Sequence, residues 1–99
     1  MNRNTGGNIS LLEAMGMIDQ RNVILIDVKS REEYAKFHLR KSINVPIENF
    51  KDSVHKVIKG KNKKIILYCS SGIRSMAAYE MLKDMGYRYV YNIYEGVNK

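Results

Sequence analysis

The chain carries a single cysteine, Cys69, within Cys69-Ser70-Ser71-Gly72-Ile73-Arg74-Ser75, where an apolar run gives way to an amphipathic one. A thiol at such a junction can act as a nucleophile if it is ionised. Free cysteine titrates near ~8.5, so holding about half of it as thiolate at pH 7 needs a shift of roughly 1.5 units, or ~2 kcal/mol. A helix N-terminus supplies ~0.3–1 kcal/mol, rising to ~2 in partly buried geometry. The dipole alone is marginal, so Arg74 and the N–H groups of a loop of small residues have to contribute. The opposing reading is a small buried hydrophobe that ends a core strand, because free cysteine is among the most buried residue types. The local pattern leaves both open.

Stepping outward, Lys64-Ile65-Ile66-Leu67-Tyr68 is short, apolar and rich in β-formers, as expected of a strand buried on both faces. Beyond the loop, Ala78, Met81, Leu82 and Met85 share one helical face, and Gly86 is placed to end that helix. Upstream, Ser10-Leu11-Leu12-Glu13 and Ser30-Arg31-Glu32-Glu33 both have capping-box spacing, the first opening a helix through Ile18 and the second one through about Phe37. Val23–Val28 reads as a buried strand, and a brief strand near Ser42–Val45 stops before Pro46. The apolar positions Ile47, Phe50, Val54, Val57 and Ile58 keep a helical period up to Gly60, and a last strand lies near Tyr89–Ile93. Strands alternating with helices predict an α/β fold, with a mainly parallel central sheet flanked by helices on both faces. In such sheets function sits beyond the C-terminal strand ends, the edge shared by Asp27 and Cys69.

Ninety-nine residues, 44% of them hydrophobic and only one proline, make an ordinary globular domain. Residues 1–8 read as a flexible lead-in and 9–99 as one domain. One cysteine forms no internal disulfide, and no run approaches a membrane span or a secretion signal, so a reducing cytoplasm is the expected compartment. The +7 balance partly reflects Lys51, Lys56, Lys59, Lys61, Lys63 and Lys64. With no interleaved aromatics to stack on bases, these lysines read as a solvated face rather than a nucleic-acid surface. Two separated histidines and one cysteine have no metal-ligand spacing, and no metal is expected.

From about Ile9 to Gly96 the sequence resembles the rhodanese-like domain family. The resemblance rests on Leu25-Ile26-Asp27-Val28-Lys29 with Glu33-Tyr34 and His38-Leu39, on Ile43-Asn44-Val45-Pro46, and on the Cys69–Ser75 loop with Ala77-Ala78 and Leu82. Departures include Lys29 for arginine, Phe37 for the glycine before the histidine, and Glu95-Gly96 for paired glycines. The resemblance implies sulfane-sulfur transfer without a cofactor. Cys69 would take sulfur from thiosulfate or a persulfide-donating protein and yield it to a thiol or cyanide. The N–H groups of Ser70, Ser71, Gly72, Ile73, Arg74 and Ser75 would hold the anionic sulfur, with Arg74 orienting an oxyanion, Ser75 donating a hydroxyl bond, and Asp27 and His38 serving structural roles. Two alternatives stay open. One is a cysteine phosphatase or arsenate reductase, although those enzymes place arginine after five intervening residues and here there are four. The other is a noncatalytic interaction module.

Overall fold

The computed structural model describes residues 6–98. Five strands, β1 (Gly6–Ile9), β2 (Val23–Asp27), β3 (Ile43–Asn44), β4 (Lys64–Tyr68) and β5 (Tyr89–Ile93), form one sheet in the order β1-β5-β4-β2-β3. Every pairing is parallel, with Asp27 opposite Tyr68 and Leu67 opposite Asn92. All N-terminal strand ends therefore lie on one edge, and all C-terminal ends on the other. Helices α1 (Leu11–Met15), α2 (Arg31–Lys36), α3 (Phe50–Ser53) and α4 (Ile73–Asp84) make the connections.

Side chains alternate across the sheet, which explains why the central strands are apolar throughout. On one face Ile26, Ile65, Leu67 and Val90 pack with Phe50, Val54, Ala78 and Leu82. On the other, Leu25, Ile66, Tyr91 and Ile93 pack with Ala14 and Ile18. Both capping boxes form as the spacing predicts, Ser10 with Glu13 and Ser30 with Glu33. α4 stops at Asp84 with Met85 as its cap, and Gly86 follows at φ +93°, the left-handed residue that closes the helix end.

Three expectations change. α1 ends at Met15, and Ile18 lies in the turn that follows it rather than in the helix. Gly6, Gly7 and Asn8 are not lead-in: they belong to β1 and lie beside Val90, Tyr91 and Asn92, while residues 1–5 fall outside the described residues. The segment from Ile47 is also not one helix. It runs as a 3-10 turn over Ile47–Asn49, the single turn of α3, and a second 3-10 turn over Val54–Lys56. Asn49 and Ser53, at φ −119° and −110°, depart from helical values at the two junctions. Short polar side chains compete poorly for helix interiors, yet Phe50, Val54 and Ile58 still reach the core.

Candidate active site

Cys69 follows the last residue of β4 and is fully buried. Three small residues turn the chain into α4, and the turn depends on Gly72, whose φ of +90° a side chain rarely adopts. That conformation brings the Gly72 N–H to 3.1 Å from Cys69 Sγ. The Ser75 N–H, one of the free donors of the first turn of α4, points at the same sulfur from 3.4 Å. Ser75 Oγ lies 3.5 Å from it, able to accept from a thiol or donate to a thiolate.

These donors decide the ionisation. Burial pushes the Cys69 thiol up, but the Ser75 hydroxyl and the backbone N–H groups of Ser75, Ser71 and Gly72 together outweigh it and hold the thiol below free cysteine. The donor set is narrower than the sequence suggests. Ser71, Gly72 and Ser75 face the sulfur. Ser70 offers its hydroxyl to Arg74 instead, and the Ile73 side chain is 75% exposed.

Arg74 does not point at the sulfur. Its guanidinium grips Glu33 in bidentate fashion, Nη1 to Oε1 at 2.7 Å and Nη2 to Oε2 at 2.9 Å, and Nη2 also donates to Ser70 Oγ at 3.2 Å. Glu33 simultaneously accepts the Ser30 N–H at 3.0 Å, so one carboxylate caps α2 and ties the thiol loop to it. Its carboxyl is pulled down to about 2, chiefly by Arg74 and then by the Ser30 N–H. Because the pair is partly exposed, its contribution to stability is modest. A depressed carboxyl stabilises the fold fully above its unfolded value and progressively less as pH falls from about 4.5 towards 2. Glu33→Gln should therefore remove that segment of the stability profile in pH-dependent denaturant unfolding; an unchanged acid limb would refute the tie. Under the sulfur transfer that the resemblance implies, Arg74→Ala should slow uptake from thiosulfate and from an uncharged polysulfide alike, since it loosens the loop rather than deleting an oxyanion contact.

Asp27 lies on the same edge but does not contact Cys69. Its Oδ1 accepts the Lys29 N–H at 2.8 Å, so it shapes the turn from β2 into α2. Asn44 braces the same turn, its Nδ2 donating to the carbonyls of Asp27 and Lys29. Lys29 is itself buried, with Nζ 3.0 Å from the Phe37 carbonyl, 3.6 Å from Asp27 Oδ2, and over the Phe37 and Tyr68 rings. Two of the departures noted in the sequence, Lys29 and Phe37, are thus packed on each other. His38 accordingly has a structural setting, stacked on Tyr34 with Nδ1 2.7 Å from the Tyr34 carbonyl oxygen. A cleft of about 200 Å³ beside the loop is lined by Lys29, Glu33, Lys36, Ser70, Val97 and Asn98.

The segment after β5 closes the back of the loop. Val97 N–H donates to the Cys69 carbonyl at 2.8 Å, and Gly96, at φ +76°, lies so close to Ser70 and Ser71 that a Cβ would collide with their backbone. Neither this contact nor the Glu33–Arg74 pair is local in sequence, and only the capping-box reading of Glu33 hinted at either.

A family model described as Rhodanese-like domain matches residues 10–99. The chain belongs to the rhodanese-like domain family. The tRNA uridine(34) hydroxylase of Buchnera aphidicola subsp. Baizongia pistaciae is 32% identical over 100 residues, covering 97% of this chain but 32% of that protein. That of Legionella pneumophila strain Paris is 36% identical over 98 residues, covering 95% and 39%. The chain thus spans about a third of the length of the curated relatives it matches. Among solved structures, a rhodanese with anions from E. coli has 34% identity and a TM-score of 0.68, covering 71% of this chain and 82% of that one. A rhodanese-like domain protein from Staphylococcus aureus, 23% identical with a TM-score of 0.80 and covering 91% and 86%, shares the fold.

Proposed function

We propose that this rhodanese-like domain moves sulfane sulfur through a persulfide on Cys69. The observation that carries the reading is the convergence of the Gly72 and Ser75 N–H groups and the Ser75 hydroxyl on one sulfur, with the thiol held below its ordinary value. In thiosulfate the Cys69 thiolate attacks the outer sulfur, a new S–S bond forms, and the old one breaks with its electron pair leaving on sulfite. An acceptor thiolate then attacks the outer sulfur of the persulfide and carries it away, returning Cys69 as thiolate. Small anionic or persulfide donors and thiol acceptors are the partners this scheme requires.

The phosphatase alternative fares worse, because the arginine that such enzymes turn on the phosphoryl group is here engaged by Glu33. The likeness to tRNA uridine(34) hydroxylases supports a second reading, in which the domain is one part of a larger RNA-modifying protein and its thiol serves that chemistry. Intact mass after incubation with thiosulfate tests the first reading. One added sulfur atom, removable by dithiothreitol, is expected, together with no aryl phosphate hydrolysis above a Cys69→Ser background. A chain that gains no sulfur refutes it.

A further inference from the structure

The net charge of the chain is concentrated on one edge of the molecule. Because the sheet is wholly parallel, the segments leading into β2, β3, β4 and β5 gather at the N-terminal strand ends, away from Cys69. They bring Arg21, Arg40, Lys41, Lys59, Lys61, Lys63, Lys64, Lys83 and Arg88 together with only Asp19 and Asp84. Nine basic against two acidic residues equal the whole +7 excess, so the remainder of the chain is balanced. Asp19 is already taken by Arg40 and Lys41. Among the described residues, none of Arg21, Lys59, Lys61, Lys63, Lys64 and Arg88 has a carboxylate at ion-pairing distance.

We propose that this basic edge binds the phosphodiester backbone of a paired nucleic acid. Lys64 N–H donates to the Asn22 carbonyl at 2.8 Å, which locks the β2 and β4 approaches side by side. Neighbouring strands lie about 4.8 Å apart, so Arg21, Lys63 and Arg88 mark out roughly 10 Å of charged edge. Between them a recess of about 190 Å³ is lined by Asn22, Lys59, Gly60, Asn62 and Lys63, all cationic, amide-bearing or glycine. Lysine and amide donors without apolar anchors suit phosphate and sugar oxygens, whereas protein interfaces deplete lysine and centre on aromatic or aliphatic contacts. Paired rather than single strands fit, because the aromatics here are poorly placed to stack on bases: Tyr87 is buried with Lys61 over its ring at 5.0 Å, and Arg88 lies over the Tyr89 ring at 5.8 Å. The absence of interleaved aromatics, which in the sequence argued against nucleic acid, thus argues only against base stacking.

A strand of five residues puts this edge about 15 Å from the thiol, so the bound polymer would leave Cys69 open, and the proposal goes beyond the sulfur-transfer reading without resting on it. The test is fluorescence anisotropy with an RNA hairpin, a DNA hairpin of the same sequence, and labelled polyglutamate. If four phosphates are neutralised, hairpin affinity should fall about 100-fold between 50 and 200 mM salt. Arg21→Gln/Lys59→Gln/Lys63→Gln should reduce that loss to about 3- to 4-fold, and the corresponding Arg21→Lys/Lys59→Arg/Lys63→Arg variant should restore it. Both variants should keep the wild-type melting temperature in thermal unfolding, which shows that they are folded. Tighter binding of the RNA arm adds recognition of the 2′-hydroxyl; equal binding means backbone alone, and either supports the proposal. No hairpin binding at 50 mM salt, an unchanged triple glutamine variant, or polyglutamate bound as tightly as the hairpins would overturn it, the last in favour of an acidic protein.

Discussion

Gly96→Ala is expected to lower the melting temperature by roughly 10–20 °C. The added carbon would meet the Ser70 carbonyl and the Ser71 backbone, and the residue is held at φ +76°. The chain cannot step aside, because Gly96 N–H donates to Ile93 and Val97 N–H donates to Cys69 on either side of it. A left-handed non-glycine residue and an overpacked contact each typically cost about 1–3 kcal/mol, so ~3 kcal/mol is a reasonable total against a domain stability of about 5–15. Gly60 provides the control. It has φ +85° but nothing within 4 Å, so Gly60→Ala should show the backbone penalty alone. Thermal unfolding of the two variants separates the terms, and equal melting temperatures would mean that the back wall yields.

Cys69→Ser should abolish sulfur uptake while leaving the fold intact, because a hydroxyl fits the same N–H groups but does not ionise near neutral pH. Ser75→Ala should leave uptake measurable and shift its pH dependence. A hydrogen bond to a charged group is commonly worth ~1.5–3 kcal/mol, so its loss should raise the thiol and slow alkylation near pH 7 by roughly tenfold or more. The sign follows from the competition at the sulfur: burial already raises the thiol, and the Ser75 hydroxyl is the foremost group lowering it. Alkylation rate against pH reads the midpoint directly. A wild-type midpoint at or above ~8.5 would remove the argument for a stabilised thiolate.

How far the sequence carried depended on whether the deciding interaction was local. β4 and the start of α4 were legible because apolar β-formers, small residues and a 3.6-residue period each act over a few positions. The capping boxes were legible for the same reason. β1 was not, since two glycines at φ +131° and +118° carry no strand propensity and pair only because β5 lies beside them. The pairing of Arg74 was not legible, because Glu33 lies 41 positions away on another helix. Asp27 makes its contact with the turn after β2, where its Oδ1 accepts the Lys29 N–H, and not with the cysteine loop.

The outer pair of strands carries a consequence for how the chain is made. β1 and β5 join residues near opposite ends of the sequence, Asn8 beside Asn92, and Glu95 accepts a hydrogen bond from Leu11 N–H across the same distance. At about 5–20 residues per second of synthesis, β1 must wait several seconds for β5, its neighbour among the described residues, to be translated. Meanwhile β4, already able to pair with β2, presents an open apolar edge where β5 will dock. The nascent domain therefore spends that interval as an incomplete sheet, and its dependence on chaperones during translation should be set by the wait for β5.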